Sequence, residues 1–168
     1  MAMMRYPYFA SSLCLDGSAA PAPIEYSVQR IVRFDEVDVL EIVWHGHYAS
    51  YFEDARVALG EHLGIGYSTL YRERVPAPIK QLFVNYHRPL VFAERCRIIA
   101  RLHWCESARM NMSYKILNAQ GATVATGFSV QMFMQTTGEY LTRQPDFYAA
   151  FCQRWKQGQI PPSASAGK

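Results

Sequence analysis

One segment of this chain has apolar residues that repeat with the period of an α-helix. Steps of three or four residues place its apolar members on one helix face: Tyr48, Phe52, Ala55, Leu59 and Leu63. The polar members fall on the other face: Glu53, Asp54, Arg56 and Glu61. Gly64 follows directly, at the position where a glycine commonly ends a helix. The pattern predicts one long amphipathic helix whose apolar face needs a partner surface.

Alternation of apolar and polar residues predicts β-strands on both sides of this helix. One strand pattern, from Tyr26 to Phe34, precedes the helix, and apolar residues occupy one side of it. Four strand patterns follow the helix, at residues 79–87, 95–104, 108–116 and 122–134. Short links between successive strands predict antiparallel hairpins. The order predicts an α+β fold in which a curved antiparallel five-stranded sheet wraps around one long central helix.

The two ends of the chain differ from this central part. The sequence of residues 1–24 predicts an irregular N-terminal arm, which ends in small residues and prolines. Residues 25–145 hold the predicted sheet and helix and form the main domain. Residues 146–168 predict a short terminal helix followed by a disordered tail of low complexity.

Composition excludes several classes of function. A chain of 168 residues with 50% apolar residues is most simply one domain with a core of its own. The net charge of +3 comes from scattered Arg and Lys residues, so we expect no nucleic-acid partner. No apolar run approaches the roughly 18 residues of a membrane span, and the four cysteines form no CxxC pair. We therefore expect a cytoplasmic protein with reduced thiols and no bound metal.

The segment RFDEVDVLEIVWHGHYASYFEDAR, residues 33–56, resembles the signature of the hotdog-fold acyl-CoA thioesterases of the 4-hydroxybenzoyl-CoA thioesterase type. The shared elements are an acidic loop, a Trp-His step, and Tyr-Phe-Glu-x-Ala-Arg on the helix. The resemblance extends more loosely to about residue 136, through the strand order and the Tyr-x-x-Pro step at Tyr86 to Pro89. It implies that residues 25–145 form a hotdog thioesterase domain.

The resemblance implies roles for residues of the loop and of the helix. The catalytic aspartate of the family falls on Asp38, and His45 falls on a loop histidine that several members carry. The glycine that the family has three residues after the aspartate is Glu41 in this chain, and we expect this change to alter how closely the loop backbone approaches a bound thioester. In another hotdog branch a helix glutamate is catalytic, which makes Glu53 a second candidate, although Glu53 and Arg56 more simply form a helix ion pair.

Thioester hydrolysis needs a group that attacks or activates water and donors that stabilise the developing oxyanion. A carboxylate such as Asp38 suits the first task as general base or nucleophile. The free N–H groups at the start of the helix suit the second. Gly46 allows a ligand to approach the main chain closely. We expect four residues at this helix start to contact the substrate: Trp44, Gly46, His47 and Tyr48.

Four arginines on two predicted strands are candidate ligands for the phosphates of coenzyme A, although such residues are more often a solvated strand face: Arg95, Arg97, Arg101 and Arg109. We expect no cofactor, since coenzyme A enters only as part of the substrate. An acyl-CoA or an acyl-carrier protein is the expected partner. A homodimer or homotetramer is expected because one curved sheet over one helix leaves a strand edge unpaired.

Two other functions fit the same residues. A 3-hydroxyacyl-thioester dehydratase of the hotdog fold would place Asp38 and His45 against one substrate carbon. A non-catalytic acyl-thioester binding protein is the other alternative, and Glu41 in place of glycine is the feature that favours it.

Overall fold

The structure, a computed structural model, describes residues 14–165. The predicted N-terminal arm therefore lies mostly outside the described residues. These residues contain three α-helices: α1 (Tyr48–Leu63), α2 (Tyr67–Arg72) and α3 (Asp146–Lys156). The strands are β1 (Ile24–Ile31), β2 (Ile79–Tyr86), β3 (Arg95–His103), β4 (Arg109–Asn118), β5 (Thr123–Met132) and β6 (Ser163–Ser165).

Helix α1 has the predicted bounds and packs against the sheet with the predicted face. Phe52 and Leu59 are fully buried, and the Phe52 ring stacks on Tyr114 of β4 with ring centroids 4.6 Å apart. Gly127 of β5 lies under the same ring, where a Cβ atom would come within 2.4 Å of Phe52. Gly64 ends the helix in the left-handed conformation, with φ of 71°.

One residue of α1 lies on the opposite side from the prediction. Arg56 was expected on the polar face, but it is only 5% exposed. Its guanidinium donates hydrogen bonds to Glu53 and to the hydroxyl of Tyr67. Tyr67 is the first residue of α2, which covers this part of α1. Arg56 is buried because α2 covers it and adds the Tyr67 hydroxyl to its partner Glu53 on α1, and the periodicity of α1 alone carries no sign of that helix.

Strands β1 to β5 form the predicted antiparallel sheet, in the order β2-β5-β4-β3-β1. Two of the predicted hairpins, β3–β4 and β4–β5, are present. The expected hairpin of β2 and β3 is absent, because β2 pairs with β5 at the far edge. The segment between β2 and β3 instead bonds to the loop after β1, where Val43 N donates to Leu90 O at 2.9 Å.

The first strand is shorter than its pattern predicted. β1 ends at Ile31, and the following residues Phe34–Glu36 form one turn of 3-10 helix. Phe34, which the pattern placed on the buried side, is 78% exposed. Just after the strand, Val32 N donates to Glu94 O in the segment before β3. The chain then turns away from the sheet and begins the loop that precedes α1.

The C-terminal segment packs onto the same core. Trp155 of α3 is buried against Trp104 and donates to the carbonyl of Ala22 at 3.0 Å. The predicted disordered tail is wrong at Ser163–Ser165, which form the short strand β6 parallel to β1. Main-chain hydrogen bonds such as Glu25 N to Pro162 O, at 2.8 Å, join this segment to β1, and small residues without an apolar pattern gave no signal for the pairing. Within residues 14–165, no helix is long and apolar enough to span a membrane.

Candidate active site

Asp38 lies in a tight hairpin that the loop forms between Val37 and Val43. Those two residues make an antiparallel bridge, and the main chain of Asp38 bonds to Ile42 O and to Glu41 N, both at 2.9 Å. The Oδ1 atom of Asp38 accepts the N–H of Leu40 at 2.8 Å. The side chain is half-buried. These bonds fix the orientation of the carboxylate before any ligand arrives.

Glu41 adopts the conformation that a glycine favours. Its φ is 61°, in the left-handed region. Its side chain is exposed. The replacement of the family glycine by glutamate therefore keeps the turn, at the strain that a side chain causes in this region. The structure gives no sign that Glu41 displaces the Asp38 carboxylate.

A cleft of about 430 Å³ opens beside this hairpin. Three residues selected from the sequence line it: Asp38, His45 and Tyr48. The other lining residues come from the same loop and from the segment after β2: Leu40, Ile42, Val43, Tyr86, His87, Arg88 and Pro89. The cleft therefore brings a carboxylate, two imidazoles and a guanidinium together beside apolar walls, which is the composition typical of a small-molecule site.

Helix α1 begins at this cleft. Residues His45–His47 form a single 3-10 turn, and α1 continues from it at Tyr48. The side chain of His47, the N-cap residue, makes no capping hydrogen bond within the described residues. The positive end of the helix dipole therefore lies next to the cleft that Asp38 lines. Burial raises the pKa of Tyr48, so this phenol stays neutral at physiological pH.

The rest of the Trp-His-Gly-His turn lies outside the cleft lining. The Trp44 indole packs over Gly46, where a Cβ atom would lie 1.9 Å from the indole. The same indole contacts the rings of His45 and His47, with centroids 4.8 Å and 5.6 Å away. Gly46 is thus needed for the packing of Trp44, whereas the sequence alone had suggested that it lets a ligand approach the main chain. His47 is half-buried, and its ring contacts the Trp44 indole just before α1 begins.

Glu53 belongs to a separate polar cluster. Its Oε1 accepts the Tyr67 hydroxyl at 2.8 Å, and its Oε2 accepts the guanidinium of Arg56. Burial lowers the pKa of Arg56, but the bonds to Glu53 and Tyr67 outweigh it and raise that pKa. Both carboxylate oxygens of Glu53 are therefore engaged within the protein. Glu53 lines a second, smaller hollow with Phe52 and Leu82, away from Asp38.

The four candidate arginines are not equivalent. Arg101 pairs with Glu25 at 2.7 Å, and Arg109 Nε donates to Cys105 Sγ at 3.3 Å. Arg95 and Arg97 line a common hollow near the end of the sheet. None of the four lines the cleft that contains Asp38.

Glu36 is a buried charge that the sequence analysis did not select. It is 4% exposed and accepts hydrogen bonds from Arg30, from Arg33 N at 2.8 Å and from the Tyr51 hydroxyl at 2.9 Å. Arg30 also pairs with Asp54 of α1. Burial alone raises the pKa of Glu36, yet these bonds outweigh it and lower that pKa. Glu36 anchors the loop to α1 and β1.

Three cleft residues were also missed: Tyr86, His87 and Arg88. Main-chain bonds from His87 and Arg88 to Val124 O, at 2.8 Å and 3.0 Å, hold the segment against β5. The Tyr-x-x-Pro step that contains these residues was the available signal. Among residues 14–165, no group of three or more His, Cys, Asp or Glu residues is arranged to hold a metal ion.

Two curated relatives and a solved structure resemble this chain. YneP of Bacillus subtilis, named as a candidate acyl-CoA thioesterase, is 29% identical over 90 residues, which are 54% of this chain. The chain spans 65% of the length of that relative. The 1,4-dihydroxy-2-naphthoyl-CoA hydrolase of Synechococcus elongatus is 25% identical over 135 residues, which are 79% of this chain and 96% of the relative.

The solved structure is a DHNA-CoA thioesterase from Staphylococcus aureus, with a TM-score of 0.72 and 23% identity, covering 83% of this chain and 98% of the other. This likeness confirms the predicted hotdog fold, a sheet wrapped around one long helix. The family model described as the Thioesterase-like superfamily matches residues 32–161, and this chain therefore belongs to that superfamily.

Proposed function

We propose that this protein hydrolyses the thioester of an acyl-CoA to the free acid and the thiol, with Asp38 as general base or nucleophile. The observation that carries the proposal is the meeting of Asp38, His45 and the start of α1 at one cleft. Membership of the Thioesterase-like superfamily and similarity to an acyl-CoA thioesterase and a 1,4-dihydroxy-2-naphthoyl-CoA hydrolase support the same reaction.

The chemistry follows from the positions of these groups. A thioester carbonyl bound in the cleft would meet the N-terminal N–H groups of α1, whose partial positive charge stabilises the oxyanion. Asp38 would then attack the carbonyl carbon or take a proton from the attacking water. If Asp38 acts as general base, the water oxygen bonds to the carbonyl carbon, the bond between carbon and sulfur breaks, and the proton that Asp38 took from the water passes to the leaving sulfur. If Asp38 acts as nucleophile, the bond between carbon and sulfur breaks as an acyl anhydride with Asp38 forms. Water then cleaves this anhydride to the free acid and the Asp38 carboxylate and supplies the proton of the thiol. His45 would orient the substrate by hydrogen bonding.

The active form proposed here is a homodimer or a homotetramer. β2 is an edge strand with β5 as its only neighbour in the described sheet. Two of its apolar residues beside α1 are partly exposed to solvent, Ile79 at 39% and Leu82 at 43%. Unpaired main-chain groups and exposed apolar side chains favour pairing with a second copy. Light scattering at micromolar concentration tests this arrangement, and a monomer that remains fully active would refute it.

Thiol release from a panel of acyl-CoAs, both aliphatic and aromatic, tests the reaction. We expect Asp38→Asn to lower kcat about 100- to 10,000-fold, the usual contribution of a general base. Asp35→Asn is the matched control, because Asp35 is an exposed carboxylate of the same loop that pairs with Arg33. Unchanged hydrolysis in Asp38→Asn would overturn the assignment. Turnover of hydroxyacyl or enoyl substrates without thiol release would indicate the dehydratase.

A further inference from the structure

Three spaces follow one another along helix α1. The cleft of Asp38 reaches the first residue of the helix, Tyr48. The smaller hollow, of about 250 Å³, continues along the next turns, and its lining from α1 is Ala49, Ser50, Phe52, Glu53 and Arg56. A void of about 10 Å³ follows under α2 and begins at Arg56, with room for roughly one water molecule. A rise of about 1.5 Å per residue places Arg56 about 12 Å along the helix axis from Tyr48.

The cleft and the hollow also share strand β2. Tyr86 lines the cleft, and Leu82 lines the hollow. The two residues lie four positions apart on one strand, so their side chains project from the same face of the sheet. Phe52 and Tyr114 add aromatic walls to the hollow. The acyl group of a thioester bound at the cleft therefore has an apolar path into the hollow, between α1 and β2.

Arg56 separates the hollow from the void under α2. Among residues 14–165 it is the one residue that lines both spaces. Its side chain is 5% exposed and is held from both sides, because the guanidinium donates to Glu53 of the hollow and to the Tyr67 hydroxyl of the void. The Tyr67 hydroxyl also donates to Glu53 at 2.8 Å. These three side chains close the inner end of the hollow.

The void behind Arg56 is mainly apolar. Its apolar lining residues come from α1, α2 and β4 and from the link between the helices: Val57, Ile65, Leu70, Met110 and Met112. The polar Gln131 of this lining is engaged, since its side chain donates to Ala77 O at 2.8 Å. Methionine side chains adapt readily to a ligand. The barrier to an alkyl chain is the guanidinium of Arg56, because an alkyl group that displaces its partners cannot replace their hydrogen bonds.

We propose that Arg56 sets the maximum length of the acyl group that this protein accepts. This inference rests on the proposed function and deepens it, because it names the size class of the acyl group. Short aliphatic and single-ring aromatic acyl groups end within the hollow, in front of the guanidinium. Long alkyl chains have to displace Arg56 from Glu53 and Tyr67, so they are poor substrates.

Hydrolysis of a series of saturated acyl-CoAs, from butyryl to palmitoyl, tests this limit. In the wild type we expect kcat/KM to fall once the chain reaches past Arg56. We expect Arg56→Ala to raise the ratio of kcat/KM for dodecanoyl-CoA to that for butyryl-CoA about 10-fold, the effect of one or two further methylene groups in an apolar pocket. Arg72→Ala is the matched control, because Arg72 is an exposed arginine of α2 that pairs with Glu73. Its ratio should stay within about twofold of the wild type.

Tyr67→Phe is a milder variant, and it keeps the test decisive if Arg56→Ala does not fold. It removes one of the two anchors of the guanidinium but keeps the ring, at a position that is 45% exposed. We expect the same ratio to rise about 2- to 5-fold, the effect of one lost hydrogen bond on the displacement of Arg56. An unchanged length profile in the folded variants would overturn the limit. A wild type that hydrolyses palmitoyl-CoA as well as butyryl-CoA would overturn it too.

Calorimetric titration with S-butyl-CoA and S-dodecyl-CoA gives a readout that needs no hydrolysis, because both are thioethers. Binding of S-dodecyl-CoA that is about 10-fold tighter in Arg56→Ala than in the wild type, with no such gain for S-butyl-CoA, supports the limit. If no acyl-CoA is hydrolysed in that case, only the proposed function fails. Hydrolysis together with equal binding of S-dodecyl-CoA by both proteins, or with no binding by either, would remove the length limit alone.

Discussion

The hydroxyl of Tyr86 donates a hydrogen bond to the main-chain carbonyl of His45, at 3.0 Å. Tyr86 is the last residue of the edge strand β2, whereas His45 belongs to the loop before α1. The Tyr86 ring also packs edge-on against Tyr48, the first residue of α1, with ring centroids 5.1 Å apart. One side chain thus joins the sheet edge to the loop and to the helix start at the cleft.

Tyr86→Phe removes this hydrogen bond and leaves the ring contact with Tyr48. We expect the free energy of unfolding to fall by about 0.5–1.5 kcal/mol, the usual net value of one hydrogen bond. We expect kcat for acyl-CoA to fall about 3- to 10-fold because the loop is held less firmly. Tyr71→Phe is the control, since Tyr71 is 88% exposed. Equal kcat in Tyr86→Phe and wild type would show that the bond does not position the loop.

Glu41 provides a test of strain in the hairpin of Asp38. Replacement by glycine relieves the left-handed conformation, at φ of 61°, while the unfolded chain gains freedom. We expect Glu41→Gly to raise the free energy of unfolding by up to about 1 kcal/mol and to keep activity. Glu41→Ala removes the carboxylate but keeps the strain, so it should not be stabilised. Urea unfolding of both variants measures whether the conformation of Glu41 is strained. Loss of activity in Glu41→Gly would indicate that the Glu41 carboxylate takes part in binding or catalysis.

The fold was largely predictable because its main elements carry local patterns. The helical repeat of apolar residues predicted which face of α1 is buried. The alternation of apolar and polar residues did the same for β3 and β4. The end of β1 and the strand β6 were not predictable, since both depend on main-chain bonds to distant segments. The partner of β2 was also predicted wrongly. The short link between β2 and β3 suggested a hairpin, but the two strands are not neighbours in the sheet and β2 pairs with β5.

The site was predictable only in part. The resemblance pointed to Asp38 and His45, which line one cleft, and the helix start lies beside them. The spacing of Glu53 and Arg56 predicted their ion pair, but neither period nor spacing signalled that Arg56 and Glu36 are buried. Their burial depends on the further partners Tyr67 of α2 and Arg30 of β1. The contact of Trp44 with Gly46 was equally hidden, since it depends on a side-chain conformation rather than on spacing.

Glu53 is expected to stabilise the protein rather than to act in catalysis. Glu53→Gln leaves the buried charge of Arg56 without its counter-ion. We therefore expect the free energy of unfolding to fall by about 1–3 kcal/mol. This loss is smaller than for a fully buried ion pair, because Glu53 is partly exposed. We expect kcat to fall less than about 10-fold. Denaturation and steady-state kinetics measure the two effects. A fall in kcat of about 100-fold or more, with stability kept, would make Glu53 the catalytic carboxylate.

The buried carboxylate of Glu36 predicts a pH dependence of stability. Hydrogen bonds from Arg30, Arg33 and Tyr51 outweigh the effect of burial and lower its pKa in the folded protein. A lowered folded pKa contributes stability that is fully present above the unfolded pKa of about 4.3, and that is lost as pH falls through the folded pKa. The wild type should therefore lose this part of its stability only below about pH 4.3, as pH falls toward the lowered pKa of folded Glu36.

Glu36→Gln removes the titrating group but keeps a side chain of similar size. We expect the free energy of unfolding to fall by about 2–3 kcal/mol at pH 7, because Arg30 loses a charged partner. The gap to the wild type should stay constant between about pH 6 and 8 and narrow below about pH 4, where Glu36 becomes protonated. Tyr51→Phe, which removes one neutral donor, should show a smaller gap. Urea unfolding at several pH values measures both variants, and a gap that widens in acid would contradict the lowered pKa.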